Sequence, residues 1–304
     1  MNIRMLLGRF RRDLFGPPAK DYFPQLLTRL DDIYELLQVT HDITCVPKAR
    51  GIMRMSQLAN AMLLKQVTDV LHRNGIQYWL AYGTLLGAVR HRGFVPWDDD
   101  VDIGVLRSDH NVLKALLLDE LENKLNLAIV KSDTMRVMLK DTPCQIDIFP
   151  FDVYNVPNTS DEGKHELECR HKESRAKFEY DFSKLRVKER TIVNMEDSDV
   201  IAVAQRLSES FSGSHKVLMV GPECVTPHYG VLDYDWFFPL KEIDYEGMSF
   251  FAPNRPDLLL ESCYGTFMQY PKSIHRHADL VERFDVAAYI KLQEILSRMN
   301  VPVD

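Results

Sequence analysis

Four of the five residues from Asp98 to Asp102 are aspartates, set among the apolar neighbours Val95, Trp97, Val101 and Ile103. The alternation predicts a half-buried strand over 98–103, with Asp98, Asp100 and Asp102 on one face and Val101 and Ile103 on the other. Three like charges on one face repel strongly unless a cation joins them. Oxygen donors at this density suit Mg²⁺ or Mn²⁺, which keep some waters and take other ligands from substrate phosphates. Asp147 sits in the same style between Ile146 and Ile148. If its strand neighbours the first, Asp147 completes a metal-ligand set of Asp98, Asp100, Asp102 and Asp147.

About 16 residues upstream of the acidic run, Tyr82-Gly83-Thr84 follows a predicted strand over 76–81. A glycine there lets backbone amides approach a phosphate, and the Thr84 hydroxyl adds a donor. A Gly-Thr pair after one strand, a D-x-D pair on the next and a third aspartate on a later strand together form the pattern of the nucleotidyltransferase fold. A calcium loop is the weaker rival: Asp98, Asp100, Asp102 and Asp109 fit positions 1, 3, 5 and 12 of an EF-hand count, but Ile103 stands where glycine is required.

Around this centre the periodicity alternates between helix and strand. Leu26, Leu27, Leu30, Ile33, Leu36 and Leu37 recur at helical spacing, and a second helix is expected over 56–72 before Asn74-Gly75; both should lead into the core. A helix is expected near 85–91, and another from an N-cap at Ser108 to about 121. Strands are expected over 127–131, 135–140 and 145–149, a charge-dense helix over 163–190, and a hairpin over 241–251 turning at Glu246-Gly247. A short helix over 256–264 and an amphipathic helix over about 280–299 close the chain. This order predicts an α+β fold, a mixed β-sheet flanked by helices with helical N-terminal and C-terminal elaborations. The boundaries expected are a helical lead-in over 1–72, a nucleotidyltransferase-fold catalytic core over 73–153, and an extension over 154–304 packed on the core as one integrated domain.

Composition narrows the partners. With 37 Lys plus Arg against 44 Asp plus Glu, the formal charge is −7, which excludes a global field for polymeric nucleic acid. The five cysteines are scattered without a C-x-x-C pair, so a reducing, cytoplasmic setting is expected. No apolar run is long enough to span a membrane, and the N-terminus has no signal-peptide pattern. Residues 1–16 mix Met5, Leu6, Leu7 and Phe10 with Arg4, Arg9, Arg11 and Arg12, making them a candidate for peripheral contact with an anionic membrane face. Trp79, Tyr82, Trp97, Trp236 and Phe237 suggest either core packing or an aromatic cage for a quaternary ammonium.

The run from Trp79 to Ile103 resembles the signature of the LicD family, related to the fukutin-type transferases. The resemblance continues through Asp147-Ile148-Phe149-Pro150 and, more loosely, through Tyr245-Glu246-Gly247, Pro253, Tyr264-Gly265 and Pro271. Thr266 stands where the family has an acid, and residues 155–235 and the first 50 carry little of the pattern. The resemblance implies transfer of a phosphorylated small alcohol such as phosphocholine from a CDP-linked donor to a hydroxyl of a glycan or lipid-linked saccharide, with release of CMP. It assigns Asp100, Asp102 and Asp147 to catalysis, Asp147 being either a third metal ligand or the base that takes the acceptor proton. Gly83, Thr84 and Arg90, with Lys272 and His275 near the C-terminal end, are the candidate donor-phosphate residues. An enzyme attacking the α-phosphate of an NTP, and a catalytically silent scaffold of the same fold, are the alternatives.

Overall fold

The computed structural model describes residues 19–121, 127–131, 134–157, 161–184, 197–224, 230–271 and 286–298. The chain divides into two units, the smaller comprising Met1–Val46 with Met268–Ile274. Its described part is the helix α1 (Ala19–Thr40), the 3-10 turn Ile43–Cys45 and the stretch around Tyr270. The Tyr34 hydroxyl and the Gln38 amide both donate to the Tyr270 carbonyl at 2.8 Å. Within this unit, among the described residues, the α1 leucine stripe is not buried: Leu26, Leu30, Ile33 and Leu36 are all more than half exposed. The helical spacing is as expected, but spacing alone does not say what an apolar face will meet.

The larger unit is a mixed sheet with helices against it. The helix α2 (Gly51–Arg73) turns Met55, Ala59, Leu63, Leu64, Val67, Val70 and Leu71 inward at three- and four-residue spacing. Burying each of its larger aliphatic side chains contributes about 1.5–3 kcal/mol. The helix stops at Asn74, whose amide reaches back to the Val70 and Leu71 carbonyls, and Gly75 supplies the positive φ of 69° that turns the chain out. Next come β1 (Tyr78–Leu80), α3 (Tyr82–His91), β2 (Asp102–Leu106), α4 (Arg107–Leu121), β3 (Leu127–Lys131), β4 (Met135–Leu139) and β5 (Gln145–Val156).

These strands lie in the order β1-β2-β5-β4-β3, with β2 and β5 parallel and the other pairs antiparallel. The parallel pair follows from chain length, since α4 and the β3-β4 hairpin intervene and can carry the chain back to the same edge. β5 is the spine. Its N-terminal half pairs with β2 and β4, and its C-terminal half with β6 (His215–Val220), reached through α5 (Asp161–Lys184) and α6 (Asp197–Glu209). β7 (Leu232–Asp233) adds to β6. After the short α7 (Tyr234–Phe237), the hairpin of β8 (Lys241–Tyr245) and β9 (Met248–Ala252) forms a second sheet, followed by α8 (Pro256–Tyr264) and α9 (Val286–Arg298).

The architecture is the mixed α+β sheet flanked by helices that the sequence predicts, with several local differences. β5 runs past residue 149 to 156, and β6 and α6 were not foreseen. α4 starts at Arg107, so Ser108 lies inside the helix rather than capping it, while α9 covers Val286–Arg298 of the helix expected over about 280–299, the rest of which lies outside the described residues. The largest difference concerns the acidic run, where β2 begins at Asp102 and Asp98 to Asp100 form a loop. Among the described residues no helix is long and apolar enough to cross a membrane. Residues 1–16, Lys272 and His275 lie outside the described residues.

Candidate active site

The acidic loop is held open by α2. The Asp98 amide closes a turn on the Val95 carbonyl at 2.9 Å, after which Gln57 Nε2 donates to the Asp98 carbonyl at 2.8 Å and Asn60 Nδ2 to the Asp99 carbonyl at 2.7 Å. Two side chains of a buried helix face thus satisfy carbonyls that would otherwise need a strand partner. The ladder resumes at Val101, whose carbonyl accepts from the Asp147 amide at 2.8 Å. Asp98, Asp100 and Asp102 are half-buried, yet they do not share one pleated face.

Asp102 and Asp147 are register partners on the parallel strands β2 and β5, so their side chains leave the sheet side by side. The condition posed by the sequence, that the two acidic strands be neighbours, is met. On the far side of β5, Arg136 of β4 is the register partner of Asp147. Its Nε donates to Asp147 Oδ1 at 2.6 Å and its Nη2 to Oδ2 at 2.8 Å. The Thr84 hydroxyl accepts the Asp102 amide at 2.8 Å, tying the first turn of α3 to the start of β2. Gly83 lies beneath Asp98: a Cβ there would stand 2.6 Å from Asp98 Oδ2. The glycine does permit close approach of an anion, and in this structure the anion is the protein's own carboxylate.

Burial, then the carboxylates of Asp100, Asp147 and Asp98, push Asp102 well above the usual carboxylate range, while Arg136 opposes the shift. A cluster that disfavours its own ionisation is one a hard cation would relieve. Two buried polar atoms in this neighbourhood, Asn60 Oδ1 below the loop and the Tyr245 hydroxyl, make no hydrogen bond among the described residues. The Tyr245 phenol is raised by burial first and then by Asp98, Glu246, Asp100 and Asp102, which places it in the field of the acids. The all-oxygen donors therefore fit Mg²⁺ or Mn²⁺ chemically. Among the described residues, however, no three His, Cys, Asp or Glu side chains are drawn up as a ready cage, and Asp147 is engaged by Arg136.

The other candidates stand around this centre. Arg90 is buried, donates to the Phe267 carbonyl at 2.9 Å and to His91 Nε2 at 2.9 Å, and lies 5.8 Å from the centre of the Trp97 ring. These contacts fasten α3 to the segment after α8. Burial and the Arg90 charge depress His91 to about 4, so its imidazole is neutral near neutrality. Trp79 is fully buried among Phe151, Phe237 and Phe238 at centroid distances of 5.2–5.8 Å, so it and Phe237 are core. Tyr82, half-buried against Phe149 at 5.0 Å, is nearer the acids in sequence and directly precedes Gly83.

Several residues of the site carry no motif. Gln57, Asn60 and Arg136 could be linked to the acids only through the tertiary register. Glu246 was visible as a turn residue and as part of the looser resemblance at Tyr245-Glu246-Gly247, with no role attached. In the structure its carboxylate is almost fully buried, receives Arg54 at 2.6 and 2.9 Å and Lys48 at 2.7 Å, and accepts the Phe94 amide at 3.2 Å. It thereby anchors the chain entering the acidic loop.

Comparison with known proteins finds likeness over the same stretch of chain. The family model described as LicD/FKTN/FKRP, nucleotidyltransferase domain, matches residues 75–188. The lipopolysaccharide cholinephosphotransferase LicD of Haemophilus influenzae is 28% identical over 217 residues, covering 64% of this chain and 72% of that protein. An uncharacterized protein of Rickettsia prowazekii is 49% identical over 55 residues, 18% of this chain and 21% of its own length. The ribitol 5-phosphate transferase FKRP of Homo sapiens is 49% identical over 45 residues, 15% of this chain and 9% of that protein. The chain thus spans about a fifth of the rickettsial relative and less than a tenth of the human one. The matched residues 75–188, which hold β1, Gly83, the acidic loop and Asp147, are similar to the nucleotidyltransferase domain of the LicD/FKTN/FKRP family.

Proposed function

We propose that this protein is a divalent-metal-dependent phosphotransferase that moves a phosphorylated small alcohol from a CDP-linked donor to a hydroxyl of a glycan or lipid-linked saccharide. The observation that carries the reading is the pairing of Asp102 with Asp147 on parallel strands beside the loop of Asp98 and Asp100. The relatives' names, a cholinephosphotransferase and a ribitol 5-phosphate transferase, support the phospho-alcohol class.

Asp100 and Asp102 would hold Mg²⁺ or Mn²⁺, which supplies charge neutralisation for the donor's diphosphate when bound. The chain's own residues do the positioning. Gln57 and Asn60 fix the loop carbonyls, and Thr84 fixes the Asp102 backbone, so the carboxylates meet the donor without first reorganising. The acceptor oxygen forms a bond to the phosphorus carrying the small alcohol, the bond from that phosphorus to CMP breaks, and the acceptor proton leaves to a carboxylate or water.

Purified protein supplied with Mn²⁺, a saccharide acceptor and CDP-choline, CDP-ribitol or CDP-glycerol should release CMP. Asp100→Asn and Asp102→Asn should each lower that rate by at least about a hundredfold while leaving the fold intact. Full activity in the double variant overturns the reading. Release of pyrophosphate from an NTP instead would assign the site to nucleotidyl transfer.

A further inference from the structure

The acidic site poses a problem of charge that the proposed reaction must solve. A CDP-linked donor brings a diphosphate to a place already occupied by Asp98, Asp100, Asp102 and Asp147. Charges of like sign brought close together repel strongly at the effective dielectric of a protein surface. The basic residues nominated from sequence do not answer this among the described residues. Arg90 is buried and fastened to the Phe267 carbonyl and the Trp97 ring.

Arg136 is placed differently. It lies on β4 directly across from Asp147, and its side chain is 40% exposed against 11% for the carboxylate it grips. The guanidinium therefore stands on the solvent side of the acid, and its two donors match either a carboxylate or two phosphate oxygens. Its neighbour in the fold is also the acid whose place in the ligand set was left open. While Arg136 engages both oxygens of Asp147, that carboxylate is partly withdrawn from coordination.

We propose that Arg136 is the phosphate-binding cation of the site, exchanging its two-point grip on Asp147 for one on the donor's diphosphate. The exchange moves the positive charge onto the incoming anion and releases the Asp147 oxygens toward Asp102 in one step. No bond is made or broken in it. This inference rests on the phosphotransferase reading for the identity of the donor, but not for the diphosphate chemistry.

The test uses inorganic pyrophosphate as the probe, with the full chain and saturating Mn²⁺, and measures Mn²⁺ binding alone by calorimetry. Arg136→Met should weaken pyrophosphate binding by about tenfold or more, the scale of one charge-assisted contact, without weakening Mn²⁺ binding. Arg136→Lys, which keeps the charge but loses the fork, should weaken pyrophosphate by a smaller factor and serves if the Met variant does not fold. For turnover, the donor KM should rise more than kcat falls. Unchanged pyrophosphate binding in a folded variant, or a loss of Mn²⁺ affinity in Arg136→Met, overturns the proposal. If wild type binds pyrophosphate through Arg136 yet releases no CMP from any CDP-linked donor, the phosphotransferase reading fails and this one stands.

Discussion

Gly83 and Gly87 lie one turn apart on α3 and lack a side chain for different reasons. A Cβ on Gly83 would meet the carboxylate end of Asp98 at 2.6 Å, a group that can swing aside. A Cβ on Gly87 would meet the Gly93 carbonyl oxygen at 2.3 Å and the Val95 amide nitrogen at 3.0 Å, which are backbone and cannot. Gly83→Ala should therefore leave stability within about 1 kcal/mol of wild type, the helix-propensity gain offsetting the crowding, while lowering turnover by displacing Asp98. Gly87→Ala should cost about 1–3 kcal/mol from overpacking. Urea unfolding set beside CMP release checks both, and equal stability losses in the two would refute the distinction. Sequence alone nominated Gly83 and the acids, because residue type and spacing carry that information. It could not show that Asp98 fills the space above Gly83, since that contact closes only when the loop folds back on α3.

At the level of elements, the acidic loop is suspended between α2 and the β8-β9 hairpin. Glu246 is the knot: Lys48 and Arg54 reach it from the lead-in and α2, while its amide donates to the Arg92 carbonyl at 2.9 Å. Its carboxyl is desolvated, which alone would raise it, but hydrogen bonds and charge from Arg54 and Lys48 hold it below the usual range. Glu246→Ala leaves Arg54 without this partner and frees the Phe94 amide, and should cost about 3 kcal/mol of stability, the low end for breaking a buried pair. Chemical denaturation measures this, and a loss under about 1 kcal/mol would mean the pair is screened like a surface one. The elements around this knot were legible where hydrophobic period was strong, as in α2, β4 and the hairpin. β6 and α6 went unread because they follow a charged stretch without turn signals that would phase them. The start of β2 was misplaced because Gln57 and Asn60, far away in sequence, consume the carbonyls that a strand would have used.

Across the whole molecule, two kinds of buried titratable group respond to pH with opposite sign. His91 and His171 are depressed to about 4 from an ordinary 6.5, chiefly by burial, so both fold as neutral rings. The unfolded chain binds their protons first, and stability is lost as pH falls from 6.5 through 4. Asp102 is raised, by burial and then by Asp100, Asp147 and Asp98, so its contribution is present in acid and lost as pH rises through its folded value. In EDTA, Asp102→Asn should therefore melt higher than wild type at pH 8, by about 2–4 °C for each kcal/mol of repulsion removed. The gap should close as the pH falls into the range where the wild-type carboxyl is protonated, and the acid decline set by the two imidazoles should remain in both proteins. Scanning calorimetry at several pH values decides it: a gap independent of pH would show that the aspartates do not repel as described. Adding Mn²⁺ should raise wild type more than the variant, because ligand binding to the folded state adds stability and the substitution removes a ligand. A change that abolishes turnover while stabilising the metal-free fold is what a site built from mutually repelling carboxylates should show, since the repulsion that costs stability is what makes the cluster bind a cation.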